Sequence, residues 1–172
     1  MKPTEVEEKP IFRWETMREV GSHTLDYEKP VRGKIFEIEL TSGHKVEIFR
    51  ADDGQFHFCH GLTFAGTNAP GGAVSPFSGK DVRTILENHY KPVLPESGAV
   101  RGDILVWKGP DGNTPHSAIL TEPIVLPGTE LLSYSSKVRT KNGSFPEAEM
   151  TLARLTSDEF RYGDTFNVFR RK

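Results

Sequence analysis

The chain is poor in cysteine: Cys59 stands alone among 172 residues. No disulfide can form within it, and a domain of this length, which buries roughly 70% of its unfolded surface, needs none. It lacks any apolar run near the ~20 residues of a membrane-crossing helix. Its start, Met1 to Pro10, is charged and proline-punctuated and lacks the apolar core of a secretory signal. A cytoplasmic location is therefore expected, with delivery outside the cell by another route left open. An excess of one charge is also missing. The 22 basic and 24 acidic side chains leave a net charge of −2, which gives no electrostatic case for nucleic acid or an anionic membrane as partner. Internal repeats, low-complexity tracts and linkers are absent, so residues 1–172 read as one domain. Residues 1–32 form an irregular N-terminal arm in this reading, with a short helix around Phe12 to Val20.

What is present begins with alternation. Phe36, Ile38 and Leu40 alternate with Glu37 and Glu39, and Thr41-Ser42-Gly43-His44 turns the chain. Val46 and Ile48 then alternate with Lys45 and Glu47. This is the pattern of a β-hairpin with one buried and one wet face. After a turn at Asp52-Asp53-Gly54, Phe58, Leu62 and Ala65 recur at helical spacing, which places Cys59 at a helix start. Ser78 followed by Asp81 predicts a capping box that opens a helix through Val82, Ile85, Leu86 and His89, ended by Pro92 and Pro95. Short strands are expected at Ile104 to Trp107, Ser117 to Leu120, Leu131 to Ser135, Met150 to Leu155 and Thr165 to Arg170. Helices followed by closely spaced strands argue for an α+β domain in which helices pack on an antiparallel sheet.

Chemistry is suggested at Cys59. A cysteine at a helix start is placed for a lowered pKa, and a nucleophilic thiol needs a histidine to take its proton and later protonate the leaving group. His57 and His60 flank it in sequence, and their backbone directions tend to turn them away from the thiol. His116 stands between the loop Gly109 to Pro115 and the apolar strand beginning at Ser117, an edge that faces a cleft. Cys59 and His116 are thus the candidate catalytic pair, with the loops Asn68 to Ser78 and Gly109 to Pro115 expected to border it. A zinc site at His57, Cys59 and His60 is a rival reading, but structural zinc needs a fourth ligand and a second ligand pair, and no other cysteine exists. No cofactor is implied.

The order Cys59-His60-Gly61-Leu62, then Arg101-Gly102-Asp103-Ile104-Leu105-Val106-Trp107, then His116-Ser117-Ala118-Ile119-Leu120 resembles the NlpC/P60 group of papain-like cysteine peptidases. The resemblance covers roughly residues 56 to 136. It implies a papain-like fold and a cysteine hydrolase that cleaves an amide or peptide bond through a thioester. The partner it implies is a peptide or amide substrate, with peptidoglycan stem peptides the favoured class. Gly102-Asp103 becomes a structural turn, and the Cys59 N–H a donor to the oxyanion. In that family a polar residue on the strand after the histidine orients the imidazole. Aligned by hydrophobic pattern this is Ser133, with Ser135, Asn142, Glu122, a backbone carbonyl or a water as alternatives. The chain departs from the pattern at His60, where the family usually has serine. Acyl transfer or deamidation through the same thioester, and a non-catalytic binding module on the same fold, remain as alternative functions.

Overall fold

A computed structural model of the chain describes residues 10–26, 28–55, 59–65, 69–109, 114–129, 131–141, 147–160 and 162–172. The predicted hairpin forms as β2 (Val31–Leu40) and β3 (Lys45–Ala51). Its register pairs Ile38 with Val46 and Phe36 with Ile48 on one face, and Glu37 with Glu47 on the other. Ile38, Leu40, Val46 and Ile48 are buried and Phe36 packs beside them, while Lys45 and Glu47 are exposed. A slip of one residue would exchange these faces, so burial of the four aliphatic chains fixes the pairing.

The expected N-terminal arm and its short helix are corrected by the structure. The segment is a long strand, β1 (Phe12–Leu25), antiparallel to β2 at the edge of a four-stranded sheet ordered β1-β2-β3-β4, with β4 at Ser75–Pro76. Irregularities between Arg13 and Arg18 and between Glu19 and Gly21 break its pairing. Each irregularity reverses which side chains face inward, so the strand carries no sustained period of two. What holds it is pairing on one side, burial of Ile11 and Phe12, and exposed ion pairs Arg13–Glu39, Arg18–Glu37 and Lys34–Glu19.

The second sheet has six strands in the order β5-β10-β6-β7-β8-β9: β5 (Tyr90–Pro92), β6 (Ile104–Trp107), β7 (Ser117–Glu122), β8 (Lys137–Thr140), β9 (Ala148–Thr151) and β10 (Phe166–Arg171). Every neighbouring pair in it is antiparallel. Alternation along β6 divides the core. Ile104 and Val106 join a cluster with Ile38, Leu40, Val46 and Ile48 of the first sheet, while Leu105 and Trp107 join Ala118, Leu120, Val138 and Leu152 on the opposite face. Helix α1 (Gly79–His89) inserts Val82, Ile85 and Leu86 into the first cluster. Its Ser78 cap and Asp81 make the predicted capping box, and Asp81 also accepts the Glu47 N–H, tying the helix to β3.

The architecture is therefore α+β, but sheet dominates. The described helices are α1, the four-residue α2 (Leu152–Leu155), a 3-10 turn at Pro95–Ser97 and a short helical segment after Cys59, so the expectation of a helix-rich layer on the sheet is not met. Two expected strands also differ. Met150 to Leu155 divides between β9 and α2. Leu131 to Ser135 is an excursion with one isolated bridge, Val125 to Leu132, before β8 begins at Lys137. Asp103 behaves as the turn residue proposed: Gly102 has φ +93° and Asp103 is buried in a forked ion pair, Arg170 Nε to Oδ1 at 2.8 Å and Nη2 to Oδ2 at 2.8 Å. None of the described helices is long and apolar enough to cross a membrane.

Candidate active site

The site forms where β7 begins. Trp107 at the end of β6 donates its N–H to the His116 carbonyl at 2.9 Å, which extends the β6–β7 pairing to the histidine. Successive residues point to opposite faces of a sheet. Ser117 and Ile119 face the first cluster. Ala118 and Leu120 face the second, and His116 lies on their side with its ring against Trp107 and Tyr162. The neighbours His116 and Ser117 therefore work on different sides of one sheet.

On the His116 side, the ring is buried and stacked on Tyr162, with centroids 3.9 Å apart and planes at 12°. Trp107 Nε1 donates to the Gly163 carbonyl at 2.9 Å, anchoring the backbone beside Tyr162. The His116 Nε2 lies 2.6 Å from Thr140 Oγ1, and that hydroxyl donates to the Ser117 carbonyl at 3.3 Å. With its proton directed at a carbonyl, the Thr140 oxygen accepts from His116 Nε2–H. Nδ1 is then the ring nitrogen left to exchange a proton.

Thr140 thus stands where Ser133 was expected. The Ser133 hydroxyl accepts the Ser135 N–H at 3.1 Å, and its own N–H goes to the Ile124 carbonyl at 2.7 Å. The correction follows from topology. The strand beside β7 is β8, paired as Ile119 with Arg139 and Leu120 with Val138, not the apolar run before it. Glu122 lies at the far end of β7, Ser135 shares the Ser133 turn, and Asn142 lies outside the described residues.

On the other side, the chain is helical from Cys59, with widened π-type turns at Gly61–Ala65, and Leu62, Phe64 and Ala65 are buried. Phe58 and the expected stop at Gly66 lie outside the described residues. His60 does not turn away as expected. Its Nδ1 is 2.7 Å from Ser117 Oγ and its Nε2 is 2.7 Å from the Thr114 carbonyl. Ser117 Oγ donates to Thr63 Oγ1 at 2.8 Å, and Thr63 Oγ1 donates to the Cys59 carbonyl at 3.2 Å. Both ring nitrogens are engaged, so His60 is not a metal ligand in this arrangement. His57, the remaining member of that rival site, lies outside the described residues.

Cys59 has 9% of its surface exposed and interacts with both rings. Burial pushes its thiol pKa up. The charge of His60, hydrogen bonds to His116 and to His60, and the charge of His116 outweigh that penalty and hold it well below the ordinary 9.0. The effect is reciprocal. Burial disfavours the His60 cation, but the Cys59 charge, its hydrogen bond and the Thr114 carbonyl raise His60 above 6.5. Tyr162 also faces this charge: burial, then Cys59, push its hydroxyl pKa up to about 12. The arrangement thus favours the thiolate and leaves His116 Nδ1 as the ring nitrogen that can exchange a proton with it.

The segment around Thr114 borders the site as expected of the loop Gly109 to Pro115, of which 110–113 lie outside the described residues. Thr114 also lines a groove of about 580 Å³ floored by Leu86, Tyr90, Val106 and Phe169. Thr140, Ser117, Thr63 and Tyr162 were not singled out in the sequence. The signal for Thr140 was the alternation Lys137-Val138-Arg139-Thr140, two β-branched residues alternating with two charges, which is the pattern of a half-buried strand. Comparison with known proteins adds no relative: no family model, curated protein or solved structure matches the chain.

Proposed function

We propose that the protein is a cysteine-nucleophile hydrolase of amide or peptide bonds, of the papain-like, NlpC/P60 kind. The observation that carries this reading is the pairing of buried Cys59 with His116, which helps lower the thiol pKa, and the far nitrogen of that histidine lies 2.6 Å from Thr140 Oγ1.

The chemistry follows from the tautomer. His116 Nδ1 holds the proton it has taken from the Cys59 thiol, and the sulfur attacks the carbonyl carbon, forming a C–S bond as the carbonyl electron pair moves onto oxygen. The Cys59 N–H is the proposed donor to that oxyanion. The imidazolium returns its proton to the leaving nitrogen, the C–N bond breaks, and a thioester remains. Water then gives a proton to Nδ1, attacks the thioester and releases the acid and Cys59. Thr140 fixes the ring through this cycle without carrying charge. Peptidoglycan stem peptides are the substrate class favoured by the motif resemblance, and acyl transfer or deamidation would use the same thioester.

Incubating the purified protein with stem peptides and a wider peptide and amide panel tests the reading, with mass spectrometry following products and a covalent adduct on Cys59. Cleavage by the wild type and none by Cys59→Ala is the expected result. Cleavage surviving in Cys59→Ala overturns it. The burial of Cys59 favours one second reading, a non-catalytic binding module. Alkylation separates the two: a catalytic thiol reacts with iodoacetamide faster than a free thiol at pH 6 to 7, whereas an occluded one does not.

A further inference from the structure

The two imidazoles beside Cys59 end in hydrogen-bond chains that differ in how many protons they hold. From His116 the chain has two links, Nε2 to Thr140 Oγ1 and Thr140 Oγ1 to the Ser117 carbonyl. The ring contributes its Nε2 proton and the threonine one, so both links are filled whether or not Nδ1 also carries the proton taken from the thiol. From His60 the chain has four links: Thr114 carbonyl to Nε2, Nδ1 to Ser117 Oγ, Ser117 Oγ to Thr63 Oγ1, and Thr63 Oγ1 to the Cys59 carbonyl. Both of its ends are carbonyl oxygens, which accept only. The two hydroxyls supply one proton each, so the ring must supply two. A neutral His60 leaves one link without a proton.

We infer that His60 is a fixed imidazolium, the standing counter-charge that keeps Cys59 a thiolate, while His116 alone moves protons during turnover. His60 acts on the reaction through Cys59 and is a positioning residue. This assignment rests on the proposed nucleophile, and it divides between two histidines what one histidine must do in a simple cysteine–histidine pair. Among the described residues, the titratable groups coupled to the sulfur are His60 from its own helical segment, His116 before β7 and Tyr162 before β10; Cys59 is the charged group that raises His60. The raised imidazole and lowered thiol agree with the proton count, and Ser117 explains why the cation is oriented: its hydroxyl proton is committed to Thr63, so its oxygen receives Nδ1–H.

Imidazole ¹⁵N NMR of the full chain tests the charge directly. At pH 7.5 both nitrogens of His60 are expected to carry protons, and in Cys59→Ser the ring should lose its second proton at a lower pH than in the wild type. The linked readout is the pH profile of iodoacetamide alkylation. In His60→Gln the half-maximal pH should move alkaline by about one unit or more, with alkylation at pH 6.5 roughly tenfold slower. His60→Lys, which restores a charge but not the ring, should recover part of that loss. A neutral His60 at pH 7.5 overturns the inference, as does an unmoved profile in folded His60→Gln. The two readings separate cleanly. An imidazolium His60 in a protein that cleaves no amide leaves this inference standing and removes the proposed activity. A neutral His60 in an active hydrolase does the reverse.

Discussion

The two sides of Cys59 contain the same side chain in opposite circumstances. His116 is sealed under Tyr162 against Trp107, and its chain ends after a single threonine. His60 is partly exposed and spans from Thr114 to Ser117, two groups brought together only by folding. An imidazole has no role of its own. The group at the far end of each hydrogen bond decides whether the ring has a nitrogen free to exchange a proton or is held as a cation. Because β7 sends His116 and Ser117 to opposite faces, one dipeptide would supply, in the proposed mechanism, the base on one side and the anchor for the counter-charge on the other.

The largest expected effect breaks the His116 side. His116→Gln removes the proton carrier, and turnover should fall by about 10²- to 10⁴-fold in steady-state assays. The His60 thiolate support survives in this variant, so alkylation should fall far less than hydrolysis. Loss of both in equal measure would contradict the division of roles. The pH dependence has a definite sign. Cys59 is held below 9.0, so its alkylation should persist at pH values where a free thiol is protonated and fade as pH falls through the lowered value. Removal of His60 should shift that fade toward alkaline pH.

Thr140→Val is milder. It takes away a neutral acceptor of one hydrogen bond, worth about 1 kcal/mol, or about fivefold in turnover, and its pH profile should keep its alkaline limb. Smaller still is the change at Tyr162, whose ionisation near pH 12, followed by tyrosinate absorbance, should move down in Cys59→Ser because the thiolate contributes to raising it. Ser133→Ala should leave turnover unchanged, since its hydroxyl serves only the turn at Ser135 among the described residues.

The difference between what the sequence disclosed and what it hid follows the same lines. Cys59 and His116 were legible because each adjoins an apolar element whose period is plain, and so were β2, β3, β6 and α1, where one face is fully buried. The partner Thr140 was not. Hydrophobic pattern reports burial, and the apolar residues Leu131 and Tyr134 are 49% and 48% exposed in the excursion before β8. They imitated a strand, while the strand itself, Lys137–Thr140, is half charged. β1 was hidden for a related reason, since its irregularities scramble the alternation that pairing would otherwise impose. His60 was misjudged from its place in the chain, because its partners at Thr114 and Ser117 are more than fifty residues distant.

The irregular pairing of β1 has one further effect. This strand is the outer margin of the four-stranded sheet, and a straight outer strand offers its unpaired N–H and C=O groups as a template for another chain. Here the twist introduced at each break, together with Arg13, Glu15, Arg18 and Glu19 along the strand, spoils that template. The feature that disguised β1 in the sequence thus also disfavours edge-to-edge joining of two copies into a continuous sheet, and straightening it should increase self-association.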